Sequence, residues 1–168
     1  KRSELLVIAP RHPARRDDIL TQLHSLTDSI SVRSRNDAIT ESTKVYLLDT
    51  VGELNNWFAG ARLVIMGGSF IPHGGHNLLE PAHFGKAVIF GPSMENFYEE
   101  ARLMLQKHAA VKVSSIDKLC EQLQHFLSNP EALASLENNV REATAGFSHI
   151  VDDYADIICA MLDKDKND

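Results

Sequence analysis

Residues 5–9 read LLVIA, an apolar run with no polar residue on either side of the pleat. A strand of that kind is buried on both faces, which calls for helices above and below a parallel sheet. The run stops at residues 10–13, where Pro10 and Pro13 stand. Residues 15–26 then carry Ile19, Leu20, Leu23 and Leu26 at helical spacing. The alternation continues. Residues 29–34 read as a short strand, 35–44 as a polar loop and 45–48 as a strand closed by Asp49. Residues 52–60 form a short helix with Leu54, Trp57 and Phe58 on one side. Residues 63–66, 87–90 and 111–113 are strands, separated by helices over 78–84 and 97–108. Helices over 115–127, 130–144 and 149–162 follow, and the charged tail 164–168 frays. Strands alternating with helices predict an α/β fold, a Rossmann-like parallel sheet with helices on both faces. In such sheets ligands bind at the carboxyl ends of the strands.

Composition narrows the function. At 168 residues the chain suffices for a single domain, 1–168, with its own core. A net charge of −6, with no basic run, argues against nucleic acid as a partner. No stretch of about 18 uncharged apolar residues spans a membrane, and no signal-peptide pattern stands at the start. A chain that opens directly into a strand is expected to be cut from something longer. Cys120 and Cys159 form no CxxC pair or zinc spacing, so they read as structural thiols in a reducing cytosol.

Three loops carry candidate chemistry. Pro10 and Arg11 follow the first strand; an arginine fork and a nearby helix start suit a phosphate, while a solvated turn set by two prolines is the plainer reading. Gly52, Glu53 and Leu54 open the helix after the third strand. Their backbone N–H groups suit an anion or a base edge, while an ordinary helix start capped by Asp49 or Thr50 is the plainer reading. The longest loop begins Gly67-Gly68-Ser69 and continues through Gly74-Gly75-His76-Asn77-Leu78-Leu79-Glu80-Pro81. Its glycines allow close backbone approach and it ends at a helix start, where N–H groups can cradle phosphate. It matches neither a P-loop nor GxGxxG. Asn77 and Glu80 fit a capping box if Asn77 is the N-cap. With Glu80 as N-cap, Pro81 takes the favourable first helical position and the carboxylate is left to accept two ribose hydroxyls. His73 and His76 lack a third ligand, so they read as hydrogen-bonding or bracing groups and no metal is assigned. Residues 90–97 read as punctuation ahead of a helix, with Asn96 as N-cap, at the border of any ligand.

Taken together, Met66–Phe70, Gly74–Ala82, Gly85-Lys86 and Phe90-Gly91-Pro92, with Ala9–Pro13, Arg16 and Gly52-Glu53-Leu54, resemble the C-terminal domain of 3-deoxy-D-manno-octulosonic acid (Kdo) transferases. Order and spacing agree across about residues 5–100. The resemblance implies the C-terminal half of a GT-B glycosyltransferase that binds the donor CMP-Kdo and needs no further cofactor. It implies that an N-terminal domain, absent from this chain, holds a membrane anchor, the lipid A precursor and the catalytic base. The whole enzyme would act in lipopolysaccharide biosynthesis at the cytoplasmic face of the bacterial inner membrane, and this soluble half alone would be inactive. Carried over residue by residue, Pro10 and Arg11 would lie near the CMP phosphate, with Arg11 as leaving-group stabiliser. Gly52, Glu53 and Leu54 would meet the nucleotide through the backbone. Asn77, Leu78, Leu79 and Glu80 would form the phosphate and ribose end, and Gly67, Gly68 and Ser69 would line the cleft. No catalytic residue is assigned within the chain. The same loops also fit another GT-B enzyme, such as a UDP-sugar transferase or UDP-sugar 2-epimerase, or a non-catalytic nucleotide-binding module.

Overall fold

The computed structural model describes residues 4–145. The expected helix over 149–162, with Ile150, Tyr154 and Ile157, lies outside the described residues, as do Cys159 and the tail 164–168. The chain divides into two compact units, Lys1–Trp57 and Phe58–Asp168. Among the described residues six strands pair as two parallel three-stranded ladders, one in each unit.

In the first unit the order is β1 (Leu6–Ile8), β3 (Val45–Leu47), β2 (Ile30–Val32). Only β3 is buried at all three positions, because only β3 has a neighbour on each side. The run LLVIA therefore takes an edge, and Leu6 is half exposed, contrary to the expectation of burial on both faces. Helix α1 (Arg16–His24) packs Leu20 against Val32 and Leu47, with Ile19, Ile8 and Ile30 partly buried around them. It is one turn shorter than the sequence pattern suggested. The chain turns at Ser25, and Leu26 is left 82% exposed. Tyr46 points from β3 toward Trp57, ring centroids 4.9 Å apart. Burial drives the Tyr46 phenol above its ordinary value.

The second ladder runs β4 (Val64–Met66), β5 (Val88–Phe90), β6 (Val111–Lys112). Its central strand shows the period of two directly. Val88 and Phe90 enter one cluster with Leu78, Ala82, Ala101, Met104 and Val140. Ile89, between them, enters another with Leu119, Phe126, Leu133 and Leu136. Leu78 stands at the start of α3 (Leu79–His83), and the other residues packed on the strand come from α3, α4 (Tyr98–Gln106), α5 (Ile116–Ser128) and α6 (Pro130–Ala145), so helices cover both faces as expected. The last two begin where sequence chemistry says they should. Ser115 Oγ accepts from the Lys118 N–H, and Asn129 Oδ1 accepts from the Ala132 N–H just before Pro130. Cys120 is a free, exposed thiol on α5. Among the described residues no helix is long and apolar enough to cross a membrane.

Candidate functional site

The first unit presents two strand-end loops. After β1, Pro10 is half-buried and Arg11 exposed, and a 3-10 turn, Pro13–Arg15, separates them from α1. The N-terminus of α1 carries Asp17 and Asp18 in its first turn, so its partial positive charge already has acidic company. Arg16 donates to Asp17 at 3.0 Å and lies 4.0 Å from Asp49.

The loop after β3 is clamped at both ends by two consecutive residues, Arg33 and Ser34. Ser34 donates both its N–H and its Oγ–H to the Asp49 carboxylate, at 2.9 and 2.5 Å. Arg33 forms a two-pronged ion pair with Glu53, Nε to Oε2 at 2.6 Å and a terminal nitrogen to Oε1 at 3.0 Å. Burial opposes the Asp49 charge, but the two Ser34 bonds and the Arg16 guanidinium outweigh it and hold the carboxyl below its ordinary value. Asp49 is thus a brace and not the cap of the next helix. Thr50 does not cap it either: its Oγ1 is buried without a partner. Helix α2 (Leu54–Gly60) starts two residues later than expected, because Gly52 stands at φ +86° in the approach to it. Leu54 is exposed, and the buried side of α2 is Phe58 with Trp57 half-buried. Gly52, Glu53 and Leu54 therefore stay together at the carboxyl end of the ladder, with the Glu53 side chain engaged by Arg33.

In the second unit, Gly67–Phe70 is a 3-10 turn at the end of β4. Ser69, expected to line a cleft, is fully buried. Its Oγ donates to Met66 O at 2.5 Å and accepts from the Gly91 N–H at 2.6 Å, while its carbonyl accepts from Ser93 N–H. It joins the ends of β4 and β5 and is a structural tie. Gly67 is exposed and Gly68 half-buried; a Cβ on Gly68 would meet the His76 imidazole at 2.5 Å.

Neither capping register expected for α3 occurs. The N-cap position is Leu78, and Asn77 Oδ1 reaches past it to accept the Leu79 N–H at 3.0 Å. Glu80 becomes the second helical residue and Pro81 the third, where the missing N–H forfeits no helical bond. Asn77 Nδ2 approaches Glu80 Oε1 at 3.4 Å, and the Glu80 carboxylate is exposed. Leu78 is completely buried in the core and offers a ligand no surface. The candidate side-chain pair here is Asn77 with Glu80.

The segment after β5 does more than punctuate. Ser93 Oγ accepts from the Gly74 N–H at 3.1 Å and donates to Glu95 Oε2 at 2.6 Å. Asn96 lies inside the 3-10 turn Glu95–Phe97 instead of capping α4, and its N–H donates to Gly74 O. Glu95 is exposed, and the Ser93 bond, the Glu95 N–H and the Lys112 charge together lower its carboxyl. The local signal was an acid between a glycine-proline turn and a helix start. Among the described residues no group of three or more His, Cys, Asp or Glu side chains is placed to hold a metal ion.

No protein-family model matches the chain. Curated relatives do. The 3-deoxy-D-manno-octulosonic acid transferase of Rickettsia bellii (strain RML369-C) is 34% identical over 155 residues, 91% of this chain and 37% of the relative. The enzyme of that name from Haemophilus influenzae is 32% identical over 148 residues, covering 88% of this chain and 34% of the relative. A probable mitochondrial form in Arabidopsis thaliana is 34% identical over 151 residues, again 88% and 34%. The chain thus spans about a third of the length of these relatives. Among solved structures, the C-terminal CMP-Kdo binding domain of WaaA from Acinetobacter baumannii superposes with a TM-score of 0.79 at 30% identity, covering 83% of this chain and 72% of that one. The chain belongs to the 3-deoxy-D-manno-octulosonic acid (Kdo) transferase family.

Proposed function

We propose that this chain binds CMP-Kdo as the donor half of a GT-B Kdo transferase, whose other half brings a lipid A precursor at the cytoplasmic face of the inner membrane. The observation that carries the reading is the match over most of the chain to a CMP-Kdo binding domain. The loops supply suitable chemistry. In the first unit, Arg11 is assigned to the single phosphate and the Gly52–Leu54 backbone to the nucleotide. In the second, Asn77 and the exposed Glu80 carboxylate are assigned to the ribose hydroxyls. One phosphate needs roughly one guanidinium, so this donor set calls for no metal. A guanidinium that meets charge developing on departing CMP would lower the transfer barrier.

Calorimetric titration with CMP, with UMP as competitor, tests the reading. CMP should bind more tightly than UMP. Glu80→Ala, which removes two charge-assisted hydrogen bonds, should weaken CMP about tenfold or more. UMP binding as tight as CMP, or an unaffected Glu80 variant, counts against it. In the full-length enzyme Arg11→Ala should lower kcat about a hundredfold; wild-type turnover would remove Arg11 from the mechanism.

A further inference from the structure

The loop preceding Asn77 and the loop following β5 are laced together around an open hollow. Ser93 Oγ takes the Gly74 N–H, Gly74 O takes the Asn96 N–H, and Asn96 Nδ2 donates to His73 O at 3.4 Å. Gly74 stands at φ +77°, and a Cβ there would run into the Asn96 amide, so glycine is needed for both conformation and space. What remains is a hollow of about 370 Å³ lined by Pro72, His73, Gly74, Glu95 and Asn96. A second, of about 260 Å³, shares Pro72 and Glu95 and adds Phe70 and Pro92. The larger one falls within the range of roughly 300–1,000 Å³ usual for small-molecule sites.

The chemistry of the walls selects the ligand. The Glu95 carboxylate is exposed and is oriented by Ser93 at Oε2 and by its own N–H, which leaves acceptor capacity for a hydroxyl. A carboxylate in this position repels phosphate and other carboxylates. An amide and an imidazole beside it can donate or accept, and Phe70 with the two prolines offers apolar surface to C–H groups. Acceptor, amide and apolar face together suit a polyhydroxylated ring or chain. We propose that this hollow binds the hydroxyl-bearing part of a sugar, with Glu95 as principal acceptor and Asn96 and His73 beside it. Resting on the donor reading above, the sugar is the Kdo of CMP-Kdo, turned with its hydroxyls toward Glu95 and its own carboxylate away.

The test separates sugar from nucleotide on this same chain. CMP and CMP-Kdo are titrated against the wild type and Glu95→Gln, which keeps size and the Ser93 contact. CMP-Kdo should bind the variant about tenfold more weakly while CMP binds unchanged. Equal loss for both ligands, or loss for neither, overturns the proposal. A second measurement needs no variant. Amide resonances of His73, Glu95 and Asn96 should shift with CMP-Kdo and not with CMP alone; identical shifts for the two ligands overturn it. If CMP itself does not bind, the donor reading fails, and Kdo alone then decides. Shifts confined to these residues uphold the sugar hollow, and their absence removes it.

Discussion

The loop after β3 and the loops after β4 and β5 occupy equivalent positions, each leaving the carboxyl end of a strand, yet different chemistry holds them. In the first unit the braces are charged side chains: Ser34 on the Asp49 carboxylate, Arg33 on Glu53. In the second the tie between the ends of β4 and β5 is uncharged, Ser69 Oγ with glycines where a neighbour fills the place of a side chain, and charge enters where Glu95 accepts from Ser93 Oγ. A charged brace depends on pH and salt and tolerates added volume. A packed, neutral one is indifferent to both and tolerates little.

The sharpest contrast is between two glycines. A Cβ on Gly91 would lie 2.6 Å from the Ser69 carbonyl oxygen and 2.9 Å from the Phe70 ring. Backbone cannot step aside as a flexible side chain can, so Gly91→Ala should destabilise the second unit by about 3 kcal/mol. Gly52 in the first unit has open space around it and differs only in its φ of +86°. Gly52→Ala should cost about 1–2 kcal/mol, the penalty of the left-handed conformation alone. Denaturant unfolding of the two variants checks both values. A Gly91 variant no worse than the Gly52 variant would erase the distinction.

Next in size is Ser69→Ala. It strands the buried Gly91 N–H and should cost about 1–3 kcal/mol, with the same value at low and high salt. Salt-dependent destabilisation would show that the Ser69 tie also relies on charge.

The elements themselves were legible in the sequence, because strand and helix periods are local. β5 was expected over residues 87–90 and occupies Val88–Phe90; α6 was expected over 130–144 and occupies Pro130–Ala145. What failed was non-local. LLVIA has the composition of a central strand, but its edge position depends on the ladder order, which places β3 between β1 and β2. Ser69 meets Gly91 across 22 residues, Ser34 meets Asp49 across 15, and Arg33 meets Glu53 across 20. No local pattern announces such pairs. The candidate site divides the same way. Asn77 and Glu80, three apart, were readable as partners, although the Asn77 bond to the Leu79 N–H belonged to neither expected register. Leu78 and Ser69 sat within the motif and proved to be interior residues.

Acid should release the Asp49 brace of the first unit. Asp49 titrates below its ordinary value in the folded state, so its contribution is fully present above the unfolded aspartate pKa of about 3.9 and is lost as pH falls through the lower folded value. Stability of the first unit should therefore drop below about pH 4. In Asp49→Asn that particular dependence should vanish, at the cost of lower stability at neutral pH. Near-ultraviolet dichroism of Trp57, the chain's one tryptophan, packed on Tyr46, follows this unit by itself. A Trp57 signal with the same acid midpoint in wild type and Asp49→Asn would take Asp49 out of the brace.

The smallest effect belongs to Arg33→Ala. Both partners of the Arg33–Glu53 pair are about one-third exposed, and water and salt screen most of what such a pair contributes to stability. The variant should melt close to the wild type, and the difference should shrink further in 1 M salt, where the Debye length is about 3 Å. Its consequence should appear in binding instead. The pair fixes the residue between Gly52 and Leu54, and a loop that must be ordered by its ligand binds that ligand more weakly. CMP affinity should therefore fall more than thermal stability does. Arg33→Lys should recover only part of it, since an ammonium cannot reproduce the two-pronged contact. A variant that loses stability and affinity in equal measure would make Arg33 an ordinary structural residue, and the charged brace would then have no bearing on the loop it holds.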